Sequence, residues 1–189
     1  MKIKKADIIM VVIIAVMVIS GLSIALICRE NKEPSALGGT SAEISTELEE
    51  DSLVCTIEIR CDTILENLDS LVEQKVSYVP ENGIILEKTA VNFSEEETVF
   101  EVLQRVCKDA EIQLEYSWTP VYDSYYIEGI HHLYEFDCGS QSGWMYKVNG
   151  EFPNYGCSGY QVEQGDEIVW CYTCTGLGTD VGAEREDLR

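Results

Sequence analysis

Residues 143–174 read GWMYKVNGEFPNYGCSGYQVEQGDEIVWCYTC, and this stretch decides the fold. Trp144, Tyr146 and Val148 alternate with Met145 and Lys147, the period-2 pattern of a strand with one buried face. Asn149-Gly150 supplies the turn that follows, because both residues tolerate positive φ. Tyr160 and Val162 begin another extended piece, and Gln164-Gly165-Asp166 reverses the chain. Beyond it Ile168, Trp170, Tyr172 and Cys174 share one face, with Val169, Cys171 and Thr173 on the other. No catalytic signature lies here, so the stretch speaks of architecture before chemistry.

The residues before it predict partners for these strands. In residues 54–61, Cys55, Ile57, Ile59 and Cys61 share a face and Thr56, Glu58 and Arg60 the other, a half-buried strand. Thr63 with Glu66 three residues on reads as a capping box, opening a helix whose stripe is Ile64, Leu65, Leu68, Leu71 and Val72. Pro80-Glu81-Asn82-Gly83 is a turn, and residues 84–86 and 91–93 are short strands. Ser94 with Glu97 opens a stronger helix that packs through Val99, Val102, Leu103, Val106 and Ala110, with Cys107 beside that face. Ile112, Leu114, Tyr116 and Trp118 alternate as a strand. Residues 120–136, PVYDSYYIEGIHHLYEF, hold five aromatics with little period and read as a long ordered loop. Strands and helices so ordered imply an α+β domain.

The flanks carry a different message. Residues 8–27 are twenty residues without a charge, preceded by Lys2, Lys4 and Lys5. Twenty residues at helical rise span about 30 Å, the hydrocarbon thickness, and the lysines favour the cytoplasmic side. The expectation is one N-terminal transmembrane helix with the remainder outside. A cleaved signal peptide is the rival, with Ser23-Ile24-Ala25 as its cleavage site and a secreted product. Residues 1–28 are thus an anchor or signal segment, and 29–52 a flexible acidic linker. The folded domain covers 53–175, and 176–189 form a disordered tail.

The 34 acidic and 13 basic side chains of the 189 residues give a formal charge of −21. Such a surface repels phosphate backbones, which excludes nucleic acid as a partner. Seven of eight cysteines lie beyond the apolar segment, which reads as a disulfide framework in an oxidising space. Cys171 and Cys174 have metal-site spacing, but no second pair accompanies them. Adjacent His131 and His132 face opposite ways on an extended segment and cannot share one metal. Ser142 and Ser158 sit in glycine-containing loops, neither in a nucleophile elbow. Asp123, Glu128, Glu135 and Asp137 lack EF-hand spacing. The expectation is no enzyme, no metal and no cofactor. Aromatic rings then carry the functional signal, since they bury area and leave a polar edge for orientation. Trp144, Tyr146, Asn149, Tyr155 and Tyr160 are the candidate ligand-binding residues.

Three runs invite a family name: GWMYKVNG at 143–150, PNYGC at 153–157, and GDEIVW at 165–170 with Tyr172-Thr173. Upstream, CDTI at 61–64, TVFEVL at 98–103 and YIEGI at 126–130 follow in order. Together these resemble the transcobalamin C-terminal-domain-like family over residues 54–174. The resemblance implies a β-grasp-like mixed sheet packed on helices. In vitamin B12 carriers the related domain closes over the corrin ring, and its contacts would map onto Trp144, Tyr146 and the loops over 149–160. The carriers also have a large helical domain, for which this chain lacks the length. The expected function is a membrane-tethered, extracellular, non-enzymatic binding module for a small molecule or cell-surface ligand. The alternative is a structural or interaction module that contacts another envelope protein, and a corrinoid is the lesser ligand expectation. Cys171, facing away from Cys174, is the spare thiol. Cys138 is expected to pair with Cys157, while Cys55, Cys61, Cys107 and Cys174 form two further bonds.

Overall fold

The computed structural model divides into two units, Met1–Thr46 and Glu47–Arg189, and describes residues 52–183. The expected membrane segment, most of the linker and the last six residues lie outside these. Among the described residues no helix is long and apolar enough to cross a membrane.

The second unit is a mixed α+β fold. Among the described residues seven strands run in chain order as β1 (Leu53–Arg60), β2 (Ile84–Phe93), β3 (Leu114–Thr119), β4 (Ser124–Ile130), β5 (Leu133–Tyr134), β6 (Gly143–Val148) and β7 (Glu167–Thr173). The α-helix α1 (Val99–Asp109) follows β2. Four strands form a sheet of order β2-β1-β7-β6, and three form a second sheet of order β3-β4-β5. β1 pairs antiparallel with β2 and parallel with β7, while β6 pairs antiparallel with β7.

Alternation explains the sheet. Cys55, Ile57, Ile59 and Cys61 are all at most 1% exposed, as the period-2 reading requires. Parallel register sets Ile57 opposite Ile168 and Ile59 opposite Trp170. These four join Val99, Val102, Leu103 and Val106 of α1 in one buried cluster. Ile127, Ile130 and Leu133 from the second sheet enter the same cluster. Each such side chain contributes roughly 1.5–3 kcal/mol when removed from water. Burial leaves Trp170 Nε1 without a hydrogen-bond partner, so packing outweighs one orphaned donor here.

The helix begins later than Ser94 suggests. Thr98 is the N-cap, its hydroxyl accepting from Glu101 N and its own N–H donating to Glu101 Oε2 at 2.8 Å. One turn earlier Ser94 N donates to Glu97 Oε2 at 2.9 Å, but Glu97 N donates to the Ser94 main-chain carbonyl at 3.0 Å, which makes a turn and not a side-chain cap. The other carboxylate oxygen of Glu97 accepts from Arg105 at 3.0 Å. Ala110 is the C-cap, outside the packing face.

Five other sequence expectations are corrected. Residues 63–72 form no α-helix but 3-10 turns, Asp62–Glu66 and Leu68–Ser70, followed by Glu73–Tyr78. Asn67 is the cause. Its side-chain amide donates to Thr63 O at 2.8 Å, taking the carbonyl that its own N–H would use in an α-helix. Its N–H bonds Ile64 O instead. Only Ile64 and Leu71 of the expected stripe are buried, while Leu65, Leu68 and Val72 are exposed. Residues 84–93 are one strand, irregular against β1, rather than two.

The supposed loop over 120–136 holds β4 and β5, joined by a turn in which His131 and His132 both take positive φ, 53° and 64°. Glycine or asparagine normally occupies such a turn, which hid it from the sequence. The chain also continues in order past residue 175. Gly176–Val181 is a 3-10 segment, and Asp180 accepts from Cys174 N at 2.7 Å and Thr175 N at 3.0 Å. Ala183 packs with Phe152 and Cys171 on the sheet face away from α1.

The expected disulfide framework is absent among the described residues. The seven cysteines of the described residues are all buried thiols. Cys138 does not meet Cys157, whose Sγ lies 3.4 Å from Tyr125 O.

The 3-10 assignment makes a contrast. Ile64→Ala should cost about 2–5 kcal/mol, whereas Leu68→Ala should stay within about 0.5 kcal/mol. Urea denaturation of both variants measures this, and equal losses would restore the amphipathic helix.

Candidate functional site

Strand β6 organises the surface that concerns function, with a cleft at each end. It begins at the turn over residues 136–142 and ends at Asn149-Gly150, whose φ values are 54° and 88°.

Five candidate residues do not stay together. Trp144 is 7% exposed, its Nε1 donating to Leu133 O at 2.8 Å and its ring edge-on to Tyr172. Tyr146 is 8% exposed and lies over Trp170 at 5.5 Å between ring centroids. Burial pushes its phenol pKa up. These two belong to the core and do not line the cleft beyond Asn149, because the alternation that nominated them turns them inward. Asn149 is exposed, yet its amide is spent locally. Its Nδ2 donates to Asp166 Oδ1 at 2.7 Å and its Oδ1 accepts from Glu167 N at 2.9 Å. That pair locks the turn after β6 to the start of β7.

Tyr155 and Tyr160 remain at the surface. The Tyr146 hydroxyl donates to Tyr155 O at 2.8 Å, so a core residue fixes the loop from beneath. Tyr155 is half exposed, and its ring stacks with Tyr160 at 6.0 Å and 13°. With Val148, Asn149, Glu151, Phe152, Pro153 and Asn154 they wall a cleft of about 500 Å³. Its size falls within the range of small-molecule sites, roughly 300–1,000 Å³. Phe152 and Pro153 were missed in the sequence because they break the alternation. That break, directly after a tight turn, was the available signal.

At the other end of β6 a smaller hollow of about 190 Å³ is lined by Tyr126, Phe136, Trp144, Met145, Leu177 and neighbouring polar residues. Phe136 and Leu177 are 60% and 58% exposed at φ of 67° and 55°. Left-handed backbone costs about 1–2 kcal/mol for a residue with a side chain. Tyr126 donates to Glu135 Oε2 at 2.6 Å, and burial followed by that contact raises its pKa.

A third hollow, about 400 Å³, opens on the sheet face near Arg60, Asp62, Lys147, Cys171 and Asp180. Its cations are engaged. Arg60 grips Asp62 at 2.7 and 3.0 Å, and Lys147 donates to Val181 O at 2.6 Å. Burial alone would raise the Asp62 pKa, but the Arg60 grip holds it below the ordinary carboxylate value. Burial drives the Cys171 thiol up to about 12.

The polar groups weighed for chemistry have structural partners. Ser142 Oγ donates to Gly139 O at 2.8 Å and accepts from Cys138 N and Tyr172 OH. Ser158 Oγ accepts from Tyr125 N at 3.1 Å. His132 packs on Tyr78 at 4.6 Å, with His131 edge-on to the same ring. Among the described residues no group of three or more His, Cys, Asp or Glu is placed to hold a metal ion.

Residues 96–174 match the model of the family described as "Domain of unknown function (DUF4430)". No curated protein matches the chain. Among solved structures, haptocorrin in complex with Cbi is 14% identical with a TM-score of 0.46, covering 65% of this chain. The chain spans 25% of the haptocorrin chain's length. A candidate metal-binding protein from Ruminococcus gnavus is also 14% identical, with a TM-score of 0.38, over 64% of this chain and 96% of its own.

Two measurements follow from the site. Phe136→Gly relieves left-handed strain and removes a mostly solvated ring, so its urea midpoint should equal or exceed that of the parent. A loss above about 2 kcal/mol would show the ring to be a packing residue. Burial, then His132, lowers the His131 pKa. The unfolded chain therefore binds the proton more readily. This contribution is full above the unfolded value of about 6.5 and is lost as pH falls through the folded value. Lowering the pH from about 7 to 5.5 should destabilise the parent more than His131→Asn, and equal loss in both would refute it.

Proposed function

We propose that residues 53–175 form a non-enzymatic binding module for a small, partly apolar ligand seated in the cleft at the end of β6. The carrying observation is the cleft itself. Three residues singled out in the sequence, Asn149, Tyr155 and Tyr160, converge there with Phe152 and Pro153. Aromatic walls supply buried area, and the exposed face of Tyr155 offers a flat platform. The sheet order β2-β1-β7-β6, with its parallel central pair and α1 after β2, supports the β-grasp reading. Residues 8–27 are read as the tether to the bilayer, which places the acidic module outside the cell.

Small-molecule retention tests this. The full chain, purified in detergent, is exposed to a metabolite extract and to corrinoids including Cbi, then desalted and examined by mass spectrometry. Tyr155→Ala or Tyr160→Ala should weaken retention about tenfold or more, the scale of losing an aromatic anchor. Retention unaffected by either substitution would defeat the reading. A corrinoid among the retained compounds would deepen it.

A second reading, an interaction module of the cell envelope, is favoured by the smaller hollow. Two apolar residues held exposed on strained backbone are a feature that packing does not explain. Phe136→Ala separates the readings, because it leaves ligand retention in the other cleft unchanged.

A further inference from the structure

Cys138 lies in the turn between β5 and β6, and Cys174 directly follows β7. Far apart in sequence, they are neighbours in the fold: both sulfurs sit against residues 63–67, and Ser142 Oγ joins Cys138 N to the Tyr172 hydroxyl, two residues before Cys174. They are 2% and 3% exposed. Both backbones are held in place. Cys138 N donates to Ser142 Oγ at 3.0 Å, and Cys174 N to Asp180 Oδ2 at 2.7 Å. The 3-10 turns Asp62–Glu66 and Leu68–Ser70 close the site, with Asn67 O 3.5 Å from Cys138 Sγ and Thr63 Oγ1 3.7 Å from Cys174 Sγ. Cys157 and Cys171 face backbone carbonyls instead, those of Tyr125 and Met145.

We infer that Cys138 and Cys174 are a cross-linking site, joined by a disulfide when the chain folds in an oxidising compartment. The pairing differs from the one the sequence suggested, because contact in the fold and not position along a strand selects it. A low-molecular-weight disulfide such as oxidised glutathione serves as oxidant. The thiolate of one cysteine attacks it, forming a mixed disulfide and releasing one small thiol. The second cysteine then displaces the other small thiol as the protein S–S bond forms. Two protein thiols are oxidised, one external disulfide is reduced to two thiols, and the two protons leave on those thiols. Burial holds both protein thiols protonated in the folded state, so the exchange belongs to folding, while both are still exposed.

The bond would act on the smaller hollow. Phe136 precedes Cys138 by two residues, and Leu177 follows Cys174 by three. One covalent link therefore ties together the two segments that carry its rims. This inference stands apart from the ligand reading of the other cleft and does not need it.

The full chain is refolded in detergent with a mixture of reduced and oxidised glutathione, alkylated without reduction and digested. Mass spectrometry should find the Cys138 and Cys174 peptides linked. Reduction, or Cys138→Ser, should lower Tm by about 10 °C, and reduction should not lower that variant further. Cys157→Ser and Cys171→Ser should keep the linked peptides. Alkyl label on both Cys138 and Cys174, or either joined to a different cysteine, would overturn the assignment. The parent chain alone decides this, whether or not Cys138→Ser folds.

Discussion

The parallel pairing of β1 with β7 holds the domain together. It joins the first strand of the described chain to the last and puts both in the middle of the four-stranded sheet. Ile57, Ile59, Ile168 and Trp170 face α1 across this seam, and all are at most 2% exposed. Everything else is attached to it. β2 and β6 extend the sheet on either side, α1 covers one face, and the second sheet closes the same core through Ile127, Ile130 and Leu133. On the opposite face the segment ending at Ala183 covers Cys171 and Phe152. Asp166 ties the seam to the surface, since its carbonyl accepts from Thr56 N at 2.8 Å while its carboxylate holds Asn149.

The aromatic residues divide by role along β6. Trp144 and Tyr146 point inward, and their polar atoms hold main-chain carbonyls rather than solvent. Tyr146 is the link between core and rim, because its hydroxyl anchors the carbonyl of Tyr155. The exposed rings are thereby carried on a loop fastened to a rigid strand. Such support limits the conformational entropy that a ligand would have to offset on binding.

Strict alternation was legible in the sequence, as were its consequences. β1, β6 and β7, and the turn at Asn149-Gly150, follow directly from residue type. The chain hid what depends on a single competing hydrogen bond or an unfavoured backbone. Asn67 looks like a tolerable helix residue, yet its amide displaces the helical bond to Thr63. His131-His132 has no turn signature, since neither residue favours the left-handed region that both adopt. Residues 176–183 looked like a polar tail because Asp180, which caps three consecutive residues, is only one acid among many. The candidate site was half legible. Periodicity finds aromatic residues but not which of them face solvent, and the residues that complete the cleft, Phe152 and Pro153, carry no period at all.

The seam has a consequence for biosynthesis. A ribosome delivers β1 first, but the neighbour that covers one of its edges emerges only when residues 167–173 have left the exit tunnel. Until then that edge stays unpaired beside an exposed row of isoleucines, a template for association with other nascent chains. If residues 8–27 direct export, an unfinished sheet suits transit through a narrow translocation channel, because the domain cannot close prematurely. Maturation is then timed by arrival of the last strand rather than by any earlier element.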